Sequence, residues 1–246
     1  MADEHSSMSA RKTSIGVFGV SGRMGSAVVD LVAAEYKDQA IISAQLSRGR
    51  GDFFDLLSVD AIVDFSLPNG TSELLTWLIS RTERLPVYLC GTTALLPKHY
   101  AQLDRLSDVT LVMHATNFSN GVAALAVVLQ FATPLLTKLS YRAAITETHH
   151  VHKLDAPSGT ANTISEIVKK NGGTVTDIHS IREGEIIGKH DVVFSGSTDE
   201  IVIGHAASSR HLFARGAIDA ALWLCSQDQQ SGIFTMDSYF RTRFGL

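Results

Sequence analysis

The sequence predicts an α/β chain: an N-terminal domain built on a parallel sheet, then a smaller strand-rich α+β domain, and a last helix that packs back on the first. Two observations predict it. Through residue 120, apolar β-favouring runs alternate with helix-like segments, an alternation that parallel strands joined by right-handed crossovers satisfy. Beyond Gly121 the rhythm changes to one long apolar helix and then short extended runs with few helices between them, which is economical as a sheet with a helix or two across one face. At 246 residues the chain is long enough to bury two modest cores.

The elements follow in order. TSIGVFGVSGRMGSAVVDLVAAEY, from Thr13, is an apolar run, a glycine cluster and then Val28, Val29, Leu31, Val32 and Ala33 at helical spacing, so it reads as strand, tight turn and helix. A second strand is expected over Ala40–Leu46 before the polar SRGRGD, and a third over Val59–Phe65 before SLPNGTSE, where Thr71 or Ser72 is placed to cap a helix running to about Arg81. LPVYLCGTT and VTLVMHATNFSNG give two more strands around the helix-like KHYAQLDRLS. VAALAVVLQFATPLLTKL is a long helix that Pro134 is expected to kink or end. The boundaries drawn from this pattern are a polar tail at 1–12, a first domain at 13–120 completed by 209–246, and a second at 121–208. Within the second, a strand is expected over Tyr141–His149, a helix over Gly159–Lys170, and extended segments near 175–181, 192–194 and 201–205. The last helix, Ser209 to Cys225, carries Leu212, Ala217, Ile218, Ala221 and Leu222 on its apolar side.

Composition narrows the function. A formal charge of −4 argues against a nucleic-acid-binding surface, which needs an excess of Lys and Arg. Cys90 and Cys225 both sit in apolar runs and read as buried thiols of a reducing compartment. No stretch is expected to reach the length of a membrane span, and MADEHSSMSARK lacks the apolar middle of a signal peptide, so a cytoplasmic location is expected.

Gly19, Gly22 and Gly25 stand between the first strand and its helix, where backbone amides and the helix dipole can meet a pyrophosphate. Glycines also serve turns that need positive φ, and Ser21 occupies the second glycine position of the commoner GxGxxG; the strand before and the helix after favour a Rossmann-type dinucleotide site. After the second strand, where Asp or Glu binds an adenosine ribose and Arg suits a 2′-phosphate, the chain has Ser47, Arg48 and Arg50, with Asp52 late. That is either a solvated basic turn or a tolerance of, or preference for, NADP.

The densest polar cluster is ETHHVHKLDAPSGT, residues 147–160. If the strand persists, period two puts His149, Val151 and Lys153 on one face and His150 and His152 on the other. Pro157, Ser158, Gly159 and Thr160 then form a helix start whose free amides suit an anion. A metal site is disfavoured, since no Cys or carboxylate lies at ligand spacing and the alternation splits the imidazoles. Ser158 lacks the GxSxG context of a nucleophile.

In order, GVSGRMG, IVDFSLPNGT, CGTT, ATNFSNGV, ETHHVHKLDAPSGT and ASSRHLFARGA resemble the dihydrodipicolinate reductase family of bacterial lysine and diaminopimelate biosynthesis over nearly the whole chain. The resemblance implies a Rossmann domain plus a central α+β domain for substrate binding and oligomerisation, a homotetramer joined through the central sheets, and reduction of a small dicarboxylate, the product of dihydrodipicolinate synthase, to tetrahydrodipicolinate by NADH or NADPH. By motif position it implies His149 as the acid/base group, Lys153 as a second proton donor, and His150, Gly159 and Thr160 as substrate-binding residues. Gly19, Val20, Ser21, Gly22, Arg23 and Met24 would hold the pyrophosphate, and Ser47 and Arg48 the adenosine ribose region. Gly91, Thr92 and Thr93 with Ala115, Thr116, Asn117 and Phe118 would line the nicotinamide side.

The chain departs from the family pattern at Ser47, where an acid is common, at Leu67, at Thr116 in place of a proline, and in a short 49–58 segment. Two other classes fit parts of the pattern. A sensor that binds NAD(P) without turnover leaves HHVHK beside an anion site unexplained, and an aspartate-semialdehyde type enzyme needs a catalytic cysteine in a polar setting that neither Cys90 nor Cys225 has.

Overall fold

The computed structural model describes residues 11–246; the expected tail at 1–12 lies, up to residue 10, outside the described residues. The first half contains β1 (Thr13–Phe18), α1 (Arg23–Glu35), β2 (Ala40–Leu46), a short 3-10 turn (Phe53–Ser58), β3 (Ala61–Asp64), α2 (Pro68–Ile79), β4 (Val87–Cys90), α3 (Pro97–Ser107) and β5 (Leu111–His114). Then come α4 (Asn120–Lys138), β6 (Arg142–His149), α5 (Gly159–Lys170), β7 (Val175–Arg182), β8 (Gly188–Ser195), β9 (Glu200–Ala207), α6 (His211–Cys225), β10 (Gly232–Phe234) and α7 (Met236–Phe244).

Six strands form one parallel sheet in the order β10-β5-β4-β3-β1-β2. Its inner strands are mostly apolar because both faces are covered: all four residues of β3 are buried, Asp64 at its end among them, whereas the edge strand β2 alternates buried and exposed. On one face α1 and α6 bury Val28, Leu31, Ala217, Ile218 and Leu224; on the other α2 and α3 bury Leu74, Leu75, Leu78 and Leu103. The second sheet runs β7-β6-β8-β9, with β6 and β7 parallel across α5 and the other pairs antiparallel. Its core is Ile145, Val192 and Phe194 against Leu129, Ile164 and Val168.

Four expectations are corrected. α2 starts at Pro68, whose fixed φ suits a first helical position, with Leu67 before it and no side-chain cap; Thr71 is buried inside the helix and Ser72 follows it. α4 continues through Pro134 to Lys138. Pro134 lies on the exposed side, where the carbonyl it frees can meet solvent, while Leu129, Thr133 and Leu136 hold the opposite side in the core. At 19 residues with a mean hydropathy of 1.5, α4 also reaches the length and composition of a membrane span, contrary to the expectation that no stretch does; its buried stripe of Leu125, Leu129 and Leu136 belongs to the second core. Finally, β10 and α7 were not expected: β10 is only three residues long, and it pairs with β5.

Candidate active site

The turn after β1 needs its glycines. Gly19 has φ +91° and a Cβ there would strike the Phe65 backbone; a Cβ on Gly25 would strike the Gly19 carbonyl. Gly19 and Val20 donate to the Leu46 carbonyl at 2.8 and 3.1 Å, which folds the turn toward β2. α1 then starts at Gly22 without a side-chain cap, so its first amides remain available, with Ser21, Gly22 and Arg23 exposed around them. This fits a pyrophosphate: a cradle that side chains would fill is left clear, at the positive end of a helix.

Beside it lies a cavity of about 680 Å³ lined by Phe18, Gly19, Ser21, Ser47, Arg48, Leu67 and Asn69 among others. Ser47 and Arg50 exchange backbone hydrogen bonds of 3.0 and 2.9 Å, closing a turn that leaves Arg48 exposed at the lip. The short segment after it is taken up by the 3-10 turn, begun by Asp52, whose side chain accepts from Phe54 N at 3.0 Å.

A second cavity, of about 610 Å³, joins the two sheets' loops. It is lined from the first half by Gly22, Arg23, Met24, Gly91, Thr92, Thr93, Thr116, Asn117 and Phe118, and from the second by His149, His150, His152, Lys153 and Thr160, with Arg210 beside them. Asn117 Nδ2 donates to Thr160 Oγ1 at 3.1 Å across the gap. Ala115, Val20 and Gly159 do not line this cavity, although Gly159 is exposed at the start of α5 and Ala115 N is bound to the Cys90 carbonyl at 3.1 Å.

The period-two expectation for residues 149–153 fails because the strand ends at His149. Val151 N donates to Gly184 O at 3.2 Å and Lys153 N to His150 O at 3.1 Å, which turns the chain. All three histidines and Lys153 therefore border the cavity, while Val151 is exposed away from it. Among the described residues, no group of three or more His, Cys, Asp or Glu side chains is arranged to hold a metal ion.

Glu147, Arg182, His190 and Arg210 were assigned no role from sequence. Glu147 is fully buried, accepts from Arg182 through both oxygens, contacts His149 Nδ1, and accepts from Ser158 N at 3.2 Å. Burial opposes its ionisation, but the hydrogen bonds from Arg182, Ser180 and His149 win and hold its carboxyl down to about 2. Burial, aided by the charges of Lys153 and Arg182, lowers His149 despite its Glu147 partner. The imidazole is thus neutral near pH 7 in this cleft, and with Nδ1–H given to the carboxylate, Nε2 is left as the acceptor. Burial, and next the nearby His149, push His190 down to about 4; its Nε2 lies 3.2 Å from Ser158 Oγ, which also caps α5 by accepting from Ala161 N at 3.1 Å. Lys153 Nζ reaches Asp155 at 2.7 Å, and Arg182 Nε donates to the Lys153 carbonyl at 3.3 Å. Glu147 was within reach of the alternation rule, two residues before His149 on one strand. Arg182 and His190 come from β7 and β8, which no local signal links to β6.

Family models described as dihydrodipicolinate reductase, N-terminus and C-terminus, match residues 13–118 and 121–240. The chain is 35% identical over 248 residues to the 4-hydroxy-tetrahydrodipicolinate reductase of Campylobacter jejuni subsp. doylei, covering 92% of this chain and 96% of that one. It is 31% identical over 243 residues to the enzyme of the same name from Rickettsia rickettsii, covering 92% and 98%. In fold it resembles the dipicolinate-bound dihydrodipicolinate reductase from Paenisporosarcina sp. TG-14, with a TM-score of 0.67 at 18% identity over 92% of this chain and 98% of that one.

Proposed function

The chain belongs to the dihydrodipicolinate reductase family, and we propose that its cleft reduces 4-hydroxy-tetrahydrodipicolinate to tetrahydrodipicolinate with NADH or NADPH, a step of lysine and diaminopimelate biosynthesis. The observation that carries this reading is the single cavity where the glycine turn, the Gly91–Thr93 and Thr116–Phe118 loops, His149 and Lys153 converge.

The protein must orient two ligands, neutralise a dicarboxylate and provide a proton; bound NADH or NADPH supplies the hydride. We assign Gly19, Val20, Ser21, Gly22, Arg23 and Met24 to the pyrophosphate, Ser47 and Arg48 to the adenosine ribose region, and Gly91, Thr92, Thr93, Ala115, Thr116, Asn117 and Phe118 to the nicotinamide side. His150, Gly159 and Thr160 hold the substrate: the Ser158 cap takes only Ala161 N, so the Gly159 and Thr160 amides at the start of α5 suit a carboxylate, and Lys153 supplies the opposite charge. His149 is the acid/base group. Glu147 fixes its Nδ1, so Nε2 is the atom that exchanges a proton with substrate. The negative substrate draws the neutral imidazole toward protonation, and the Lys153 ammonium is the second donor.

On the same reading, 13–120 with 209–246 is the dinucleotide-binding domain and 121–208 the substrate-binding and oligomerisation domain. Pairing of β10 with β5 and packing of α6 on α1 support the first grouping. A homotetramer is supported by apolar surface on the second unit, where Ile201 and Val202 of β9 and Phe131 and Leu135 of α4 are exposed. A cytoplasmic location belongs to this biosynthetic reading. Calorimetric titration with dipicolinate tests the cleft: binding by the dinucleotide-loaded protein that Lys153→Ala weakens is expected, and equal binding by both proteins would count against the assignment.

A further inference from the structure

A second fully buried carboxylate besides Glu147 sits at the end of an inner strand of the parallel sheet. Asp64 is the last residue of β3 and is fully buried. It accepts from Ser66 N at 2.8 Å, Thr71 Oγ1 at 2.8 Å and Tyr88 OH at 2.6 Å. Those donors come from the β3–α2 loop, the first turns of α2, and β4. The Thr71 hydroxyl has one proton and gives it to Asp64, so the 2.9 Å bond between the Thr71 and Thr92 hydroxyls is made by the Thr92 proton, and Thr92 Oγ1 itself lies 3.4 Å from Asp64 Oδ1. Thr92 lines the cleft yet is almost wholly buried, with its hydroxyl engaged in this network.

The backbone repeats the connection. Gly91 N donates to the Asp64 carbonyl at 2.8 Å, and a Cβ on Gly91 would fall on the Phe65 ring. Two cleft-lining segments, Phe65–Ser66 and Gly91–Thr93, therefore hang on one residue, by main chain and by side chain. Burial pushes the Asp64 carboxyl above its ordinary value, and the hydrogen bonds from Tyr88, Ser66 and Thr71 pull the other way. A carboxylate accepts from all of these donors together, whereas an amide in its place turns an NH₂ toward at least one of them.

We propose that Asp64, acting through Thr92, is a positioning residue for the nicotinamide half of the dinucleotide, setting the Gly91–Thr93 turn while leaving the pyrophosphate and adenosine contacts to the glycine turn and the Ser47–Arg48 lip. The inference rests on the functional reading above and adds to it a residue with no surface in the cleft.

Binding measures this without turnover. Affinities of the full chain for NADH and for ADP-ribose, which lacks the nicotinamide, are compared in wild type, Asp64→Asn, Thr92→Val and Thr92→Ser. Asp64→Asn and Thr92→Val are expected to weaken NADH on the order of tenfold with ADP-ribose unchanged, and Thr92→Ser, which keeps the hydroxyl, to restore NADH binding. Thr92→Val exchanges the hydroxyl for a methyl of similar size and carries the test if Asp64→Asn does not fold. Unchanged NADH binding in Thr92→Val, or equal loss of both ligands, overturns the inference while leaving the functional reading intact. Wild-type protein that binds neither ligand overturns both.

Discussion

Arg182 grips Glu147 at two points, with Nη2 2.8 Å from Oε1 and Nη1 3.1 Å from Oε2, where Glu147 itself has no solvent contact. The same carboxylate meets His149 Nδ1. One strand residue thereby sets the charge, tautomer and orientation of the imidazole two positions on, and Arg182 keeps that residue ionised. Glu147→Gln is expected to lower kcat by about 10²-fold, in the range of a lost acid/base function, with the KM for the dinucleotide little changed. Without the carboxylate that raises it, the His149 limb of the pH–rate profile should also move to lower pH. Steady-state kinetics across pH checks both.

The same ion pair has a signature in stability. Glu147 is held down from an ordinary 4.5 to about 2. The unfolded chain therefore binds the proton first on acidification, and the stabilisation is complete above pH 4.5 and lost as pH falls toward 2. His190 shifts the same way, from 6.5 to about 4, so it withdraws stability as pH falls through that higher window. The melting temperature should drop in two ranges, 6.5 to 4 and 4.5 to 2. His190→Gln should flatten the upper range, with Glu147→Gln flattening the lower; melting curves of both variants against pH decide it.

Lys153→Ala is expected to reduce kcat/KM for the dicarboxylate by roughly 10² to 10³-fold, because it removes both a counter-charge and a proton donor. Dinucleotide affinity should be unchanged. Loss of dinucleotide binding with unchanged turnover per bound dinucleotide would place Lys153 elsewhere in the chemistry.

Arg48→Ala should weaken NADPH selectively, by about tenfold for a lost charge-assisted phosphate contact. Arg48 stands exposed on a turn closed by Ser47 and Arg50, so the substitution removes a charge and leaves the backbone in place. Equal effects on NADH and NADPH, measured by fluorescence titration, would mean that Arg48 does not read the phosphate.

The layers of the fold were legible wherever a residue's role is local. The glycine turn of GVSGRMG, the apolar runs of the inner strands and the helix start at Ser158 all depend on neighbours in sequence, and each falls where its pattern pointed. Thr71 was misread because a buried Asp64 seven residues earlier takes its hydroxyl, and Pro134 does not end α4 because solvent on one side and core on the other let the helix continue. In the site, alternation put His149 and Lys153 on one face and His150 and His152 on the other, and it fails because a turn after His149 brings all four to one cavity; that turn was not legible, since the Gly184 carbonyl that shapes it lies far along the chain. Arg182 and His190 reach the cluster only through strand pairing, β6 with β7 and with β8.

The most direct test is dinucleotide oxidation by the purified protein, with substrate generated in place from pyruvate and aspartate semialdehyde by dihydrodipicolinate synthase, run in parallel with NADH and NADPH. Oxidation that depends on the synthase, and that His149→Gln and Lys153→Ala both suppress, is the expected result. A folded protein that binds dinucleotide yet oxidises neither form when the synthase is running would contradict the proposed reduction.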